Sequence, residues 1–245
     1  LVAIMHANNE IGTINPVSTL GKICREKGAF FVVDAAQSFA KLPVDVTQMG
    51  IDLLAASGHK IYGPKGIGFL YVRRGNPKVN LRAQMDGGGH ERGMRSGTLP
   101  VPLIVGMARA TEICHARRDE ENARLKRLRD KLLEGILAEL PDTIVNGSME
   151  HRLPHNLNVI FPQVEAESLL MGMSTVACST GSACSSSTLE PSYVIKALGM
   201  SDERAHSSVR FSLGRFNTET EIDHAIEDIV STVSKLRELV PLWEG

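Results

Sequence analysis

The fold class is decided by residues 1–33, which read LVAIMHANNEIGTINPVSTLGKICREKGAFFVV. The apolar run 1–5 predicts a buried strand, and residues 16–27 predict a helix because apolar side chains recur there at helical spacing. Gly28 is placed to end this helix. Residues 29–33 predict a second strand. The segment is therefore a strand-helix-strand unit, which should be parallel and right-handed.

Further strands are predicted at 52–56 and 67–73, and polar side chains follow three of the predicted strands directly. In open α/β sheets, ligands bind in the crevice beyond the carboxyl ends of the strands. The placement therefore predicts a single ligand site at that edge. The polar residues concerned are Asn8, Asn9, Asp34, Gln37, Ser57, His59 and Lys60.

The second half has a different pattern, which predicts a smaller α+β domain. A leucine-rich amphipathic stripe predicts a helix from about 116 to 140, which links the two domains. Thr218 and Glu221 form a capping box that predicts the start of a last helix, from 219 to about 239. We expect one domain over 1–115 and another over 116–245. Short strands are predicted near 143–146, 156–161, 175–178 and 207–212.

The composition is that of a folded protein without a bulk charge. Of the 245 residues, 42% are hydrophobic and 22% are charged, and the formal net charge is -1. This balance gives no electrostatic reason to expect nucleic acid or an anionic membrane as a partner. Four cysteines without a CxxC pair argue against a disulfide framework and structural zinc, and favour a reducing compartment.

Lys60 and Asp34 are the first candidates for chemistry. Lysine is usually a solvated surface charge. At the end of an apolar strand, however, a partly buried amine would lose its proton more easily and could form a Schiff base. Asp34 is either a turn residue or the partner that keeps a pyridinium nitrogen protonated. Together the two residues indicate pyridoxal phosphate (PLP).

The cysteines divide into one candidate nucleophile and three others. Cys184 lies among glycine, serine and alanine in 181–187, which cannot bury it, so its thiol should be accessible. Cys24 and Cys114 are expected to be buried and inert. Cys178 ends a predicted strand and is expected in the core, with a role as a second thiol as the alternative.

Two further features point to anion binding. Arg210 lies within an apolar strand and therefore requires a buried anion, which is either a protein carboxylate or a substrate α-carboxylate. The glycine-rich tract 87–98 is either a surface loop or a phosphate cradle.

Six segments in order resemble the cysteine desulfurases of the class V aminotransferase fold, in the iron-sulfur-cluster-assembly (IscS/Nfs) group. This resemblance implies a PLP-dependent transferase of fold type I, with part of a large domain, a mainly parallel sheet and a small α+β domain. The family's opening third is absent from the sequence, so we expect a fragment that is inactive alone. The segments are HANNEIG (6–12), VDAAQS (33–38), SGHKIYGPKG (57–66), GGGHERGMRSGT (87–98), GSACSSSTLEPSYV (181–194) and SSVRFSLGRF (207–216).

The resemblance also implies a role for individual residues. Lys60 is the Schiff-base lysine, Cys184 carries the persulfide, and both are catalytic. No fixed metal site is implied, although Cys184 could be a transient shared ligand of an iron-sulfur cluster. The segment 171–180 departs from the family by lacking charged residues before the catalytic loop. Implied cofactor contacts are Asn9, Asp34, Gln37, Ser57, His59, Lys60 and Thr98, with Thr98 acting across a dimer interface, and implied substrate contacts are Asn9 and Arg210.

The implied reaction removes sulfur from L-cysteine, giving L-alanine and a persulfide on Cys184. Expected partners are a second copy in a homodimer, an iron-sulfur scaffold protein and sulfur-relay proteins, with possible delivery to tRNA thiolation but no direct nucleic acid or membrane contact. The expected compartment is bacterial cytoplasm or the mitochondrial matrix. Alternatives are a selenocysteine lyase or aminotransferase of the same fold, and a non-catalytic truncated module that pairs with complete subunits.

Overall fold

A computed structural model describes residues 1–180 and 190–239, and the chain divides into two compact units. Unit 1 comprises Leu1–Ala7 and Asn15–Arg118. Unit 2 comprises Asn8–Ile14 and Asp119–Gly245. The short segment Asn8–Ile14 therefore groups with the second half of the chain, which no local sequence pattern indicated.

Unit 1 contains a four-stranded sheet whose strands lie in chain order. The first three strands are parallel, and the fourth is antiparallel to the third. Asp34 lies opposite Met5 on one side and Ala55 on the other, so the carboxyl ends of three strands meet at one edge. The strands are β1 (Val2–Met5), β2 (Phe31–Asp34), β3 (Leu53–Ser57) and β4 (Gly68–Val72).

The first helix, α1 (Val17–Glu26), connects β1 to β2 and buries Val17, Gly21 and Cys24. Gly28 has a φ of +64°, which suits the glycine expected after a helix. Phe31 is fully buried in the core of this unit. The predicted strand-helix-strand unit and its parallel pairing are confirmed.

The prediction that residues 1–5 form a buried strand is wrong in its burial. Val2 is 40% exposed, and the last two residues of β1 are only half-buried. β1 lies at the edge of the sheet and, among the described residues, pairs with β2 alone. An apolar strand is buried on both sides only where other elements cover it.

The linking helix, α2, spans Val101–Glu139 and is much longer than the predicted range 116–140. Its early part carries apolar residues around most of the helix, so no stripe marked it as helical. Pro102 near its start is tolerated because the first helical N–H groups have no intrahelical partner. The division between the two units falls inside α2, after Arg118.

Unit 2 contains an antiparallel sheet in the order β5, β6, β8, β7. Its core forms between the leucine stripe of α2 and the buried side of the central strand, which includes Leu157 and Val159. The strands are β5 (Ile144–Val145), β6 (Asn156–Ile160), β7 (Ser179–Thr180) and β8 (Ser208–Ser212). The helices are α3 (Ala166–Gly172), α4 (Tyr193–Ala197), α5 (Asp202–His206) and α6 (Glu219–Leu239).

The predicted strand at 175–178 is wrong, because pairing begins only at Ser179. The preceding backbone is bound elsewhere: Asp228 accepts hydrogen bonds from the N–H groups of Ser174 and Thr175, at 3.2 and 2.9 Å. These contacts hold the segment to α6 and lower the pKa of Asp228, chiefly through the Thr175 hydroxyl. Cys178 therefore precedes a strand and does not end one.

The capping box at the start of α6 is confirmed. The Thr218 N–H donates to Glu221 Oε2 at 2.9 Å, and the Glu221 N–H donates to Thr218 Oγ1 at 3.3 Å. The Thr218 N–H lowers the pKa of Glu221 because it stabilises the ionised carboxylate. Across the described part of the chain, no helix combines the length and apolarity needed to cross a membrane.

Candidate functional site

In unit 1, Asp34 is the last residue of β2, and Ser57 is the last residue of the neighbouring parallel strand β3. The two residues therefore lie at the same edge of the sheet. Asp34 is exposed, and its Oδ1 accepts a hydrogen bond from the Ala36 N–H at 2.8 Å. This bond shapes the turn that contains the half-buried Gln37. The carboxylate is thus both a turn residue and an accessible anion.

Lys60 lies in a single 3-10 turn, Gly58–Ile61, directly after β3. Of the two interpretations of Lys60, the structure supports the solvated charge, because Lys60 is exposed, as is His59. The turn buries Gly58 and Ile61, which is 1% exposed, and leaves the two basic residues between them in solvent. The Ser57 hydroxyl lies 2.7 Å from His59 Nδ1, so these two side chains form a hydrogen-bonded pair beside the lysine.

The glycine-rich tract 87–98 is an exposed loop within unit 1. The Gly88 N–H donates to Ser96 Oγ at 2.8 Å, and Thr98 at the end of the tract is exposed. His90 Nδ1 is buried without a hydrogen-bond partner among the described residues. An orphaned buried nitrogen in a donor-rich loop is compatible with a ligand there.

In unit 2, Arg210 of β8 meets the segment that holds Asn9. Arg210 Nη1 donates to the Asn9 carbonyl oxygen at 2.9 Å. Arg210 Nε is buried and has no hydrogen-bond partner among the described residues. The structure therefore brings these two predicted substrate contacts together and leaves one buried guanidinium N–H unsatisfied within the described part of the chain.

Sequence reasoning did not identify Glu10 and Ser192, which lie in the same cluster. Glu10 is 6% exposed, and the Ser192 hydroxyl donates to its Oε2 at 2.5 Å. Burial raises the pKa of Glu10, partly offset by this hydrogen bond and by the positive charge of Arg210. The available signal was a charged residue between Asn9, a predicted substrate contact, and the apolar Ile11.

The described cysteines are poor nucleophiles. Cys24 and Cys114 are each 5% exposed, which confirms their expected burial. Cys178 is half-buried, and burial raises its pKa to about 11, which disfavours the thiolate. Cys184 lies outside the described residues. No group of three or more metal-ligating side chains occurs within residues 1–180 and 190–239.

The class-V aminotransferase family profile matches residues 1–224. The chain belongs to the class-V aminotransferase family. Among its relatives, "Cysteine desulfurase IscS" of Shewanella sp. strain ANA-3 is 59% identical over 244 residues, covering 100% of this chain and 60% of that protein. The chain thus spans less than two thirds of the length of this class-V relative.

Solved structures agree with this class-V assignment. A "NifS-like protein" has a TM-score of 0.83 and 35% identity, covering 96% of this chain and 61% of that chain. DndA from Streptomyces lividans has a TM-score of 0.73 and 39% identity, covering 86% of this chain and 60% of that chain. The expected family and its α/β fold are confirmed.

Proposed function

We propose that the protein carrying this chain is a PLP-dependent cysteine desulfurase that converts L-cysteine to L-alanine and leaves a persulfide on Cys184. One observation carries the proposal: an exposed amine, Lys60, follows β3 at the same sheet edge as the Asp34 carboxylate. Two strand-end groups of this chemistry suit a cofactor with an aldehyde and a pyridine nitrogen.

The residues present fit PLP by their donor chemistry. Lys60 would hold the aldehyde carbon, and Asp34 would hold the ring nitrogen. The Ser57 and His59 pair and the exposed Thr98 supply donors for a phosphate, while Gln37 and Asn9 are the proposed contacts near the phenolic oxygen. When bound, the cofactor supplies an electron sink for a substrate carbanion.

Substrate binding, proton transfer and sulfur attack use side chains of the protein itself. Arg210 binds the substrate α-carboxylate through its guanidinium group. The Lys60 amine moves a proton from and to the substrate carbon. The Cys184 thiolate attacks the cysteine sulfur: an S–S bond forms and the substrate C–S bond breaks. The electron pair of the broken bond stays with the carbon skeleton, which takes up a proton to become alanine.

The proposed partners follow from the resemblance. We place the protein in a bacterial cytoplasm as a homodimer that passes sulfur to an iron-sulfur scaffold protein and to relay proteins of tRNA thiolation. The name of the Shewanella relative supports the desulfurase activity. The exposed apolar side chains of unit 1, such as Val101 and Val105, support the homodimer.

The first test uses Cys184→Ser, with Cys178→Ser as its matched control. Cys184→Ser should keep the absorbance of the bound cofactor but abolish release of sulfide and alanine from L-cysteine, because a hydroxyl cannot replace a thiolate in attacking sulfur. Cys178→Ser should retain both. Undiminished alanine production by Cys184→Ser would reject the persulfide mechanism and favour a lyase or aminotransferase of the same fold.

The second test uses Lys60→Ala, with Lys65→Ala as its control. Borohydride should fix the cofactor covalently to the wild-type chain and to Lys65→Ala, but not to Lys60→Ala. A covalent adduct that survives Lys60→Ala would show that another amine holds the cofactor.

A further inference from the structure

Glu10 is a buried carboxylate that has no assigned role, although it adjoins the proposed substrate contacts. Isolated buried charges are costly, so a nearly inaccessible glutamate is retained only where partners compensate it. Ser192 donates a hydrogen bond to the Glu10 carboxylate, and the carbonyl of the preceding residue, Asn9, accepts one from Arg210; all lie in unit 2. The cluster combines a fixed anion with a guanidinium whose buried Nε has no hydrogen-bond partner within residues 1–180 and 190–239.

The Ser192 hydroxyl has a defined direction. Its oxygen accepts a hydrogen bond from the Ile195 N–H at 3.3 Å, which makes Ser192 the N-cap of α4. Its single proton is then available for Glu10, to which the hydroxyl donates at 2.5 Å. Ser192 is 5% exposed, so water does not compete strongly for this bond. The position of the Glu10 carboxylate is therefore set by the start of α4.

Hydrogen bonds also fix the backbone of Glu10. Its N–H donates to Asn8 Oδ1 at 2.8 Å. Its carbonyl oxygen accepts from the amides of Asn156 and Asn158, at 3.1 and 3.3 Å. Because Glu10 follows Asn9 directly, these bonds also fix the carbonyl that receives Arg210 Nη1.

We propose that Glu10 is a positioning residue for Arg210: its carboxylate, fixed by Ser192, balances the guanidinium charge and holds the guanidinium at the Asn9 carbonyl, where it can bind a substrate α-carboxylate. A partly buried arginine needs a compensating charge, which a neutral carbonyl alone does not provide. This inference rests on the proposed function, because it takes Arg210 to be the carboxylate contact. Without Glu10, the guanidinium should turn toward solvent and bind the substrate less well.

The test compares Glu10→Ala and Ser192→Ala with the conservative Ser192→Thr, all in the complete protein that carries this chain, loaded with cofactor. Affinity for L-alanine, measured by titration calorimetry, should fall about tenfold in the two alanine variants, and KM for L-cysteine should rise by a similar factor. The kcat should change by less than about twofold, since the reacting groups are untouched. Ser192→Thr keeps the hydroxyl and should behave like wild type.

A double-mutant cycle with Arg210→Ala separates positioning from a general structural role. The effects of Glu10→Ala and Ser192→Ala should vanish when Arg210 is absent. Equal losses with and without Arg210, or unchanged L-alanine affinity in both variants, would overturn the inference. If Glu10→Ala fails to fold, Ser192→Ala decides the outcome alone.

The same measurements distinguish failure of this inference from failure of the proposed function. Arg210-dependent binding of L-alanine without sulfur release from L-cysteine would reject the desulfurase function but keep the role of Glu10. Normal desulfuration with no effect of Glu10→Ala or Ser192→Ala would reject the role of Glu10 but keep the desulfurase function.

Discussion

At the scale of single residues, the cost of burying Glu10 should appear in the pH dependence of stability. Burial raises the pKa of this carboxyl above its ordinary value of 4.5. Between that value and the raised pKa, the folded chain binds more protons than the unfolded chain. The contribution of Glu10 to the free energy of unfolding is therefore most favourable at low pH, and it is lost as pH rises through the folded pKa.

We predict that Glu10→Gln gains stability relative to wild type as pH increases. The difference in the free energy of unfolding, wild type minus variant, should fall as pH rises above the ordinary carboxyl pKa of 4.5, because glutamine does not ionise. Urea unfolding of both proteins at several pH values measures this difference. Glu221→Gln is the control with the opposite sign, since the Thr218 N–H lowers the pKa of Glu221 and its contribution is lost as pH falls. A pH-independent difference for Glu10→Gln would contradict the prediction.

At the scale of elements, the turn that carries Asn9 and Glu10 depends on a glycine. Gly12 has a φ of +69°, which side chains rarely adopt. A Cβ added there would lie 2.7 Å from Cγ of Asn156, whose amide binds the Glu10 carbonyl. The backbone conformation and the close approach of β6 both require glycine.

We predict that Gly12→Ala destabilises the chain by clearly more than about 1 kcal/mol, because it combines backbone strain with a clash. Gly28→Ala is the matched control: Gly28 has a similar φ of +64°, but a Cβ there meets nothing within 4 Å. Chemical unfolding gives the loss in the free energy of unfolding for each variant, and the difference between the two losses is the cost of the clash. Equal losses would mean that β6 moves away from the turn without cost.

At the scale of the whole molecule, the start of α2 in unit 1 carries exposed apolar side chains. Val101 and Val105 are 59% and 60% exposed on the first turns of α2. Thr98, the proposed phosphate contact across a dimer interface, lies just before them. Contiguous exposed apolar surface typically marks an interaction site. The proposed homodimer would bury this surface and would bring Thr98 to the cofactor site of the second copy.

We predict that replacing both Val101 and Val105 with glutamate converts a dimer into a monomer, because it would bury unpaired charges at the interface. Sedimentation velocity measures the change, and cofactor retention should fall with it if Thr98 acts across the interface. Met171→Glu is the control, since Met171 is 88% exposed on α3 of unit 2. A double variant that stays dimeric would place the interface elsewhere.

Much of this protein was predictable from sequence because the relevant signals are local. Apolar periodicity predicted β2, β3, α1 and α6, and the Thr218 capping box predicted where α6 begins. Parallel pairing then placed Asp34 and Ser57 at one edge. The roles assigned to Lys60, Thr98 and Cys184 remain predictions from the resemblance.

Exposure and long-range contacts were decided only by the tertiary structure. Lys60 and β1 proved more exposed than their apolar surroundings suggested, because burial depends on which elements cover a strand or turn. The segment at 175–178 is not a strand, because Asp228 binds its backbone. Glu10 meets Ser192 across 182 residues of sequence. No local pattern encodes such a contact, since it forms only when the fold brings distant segments together.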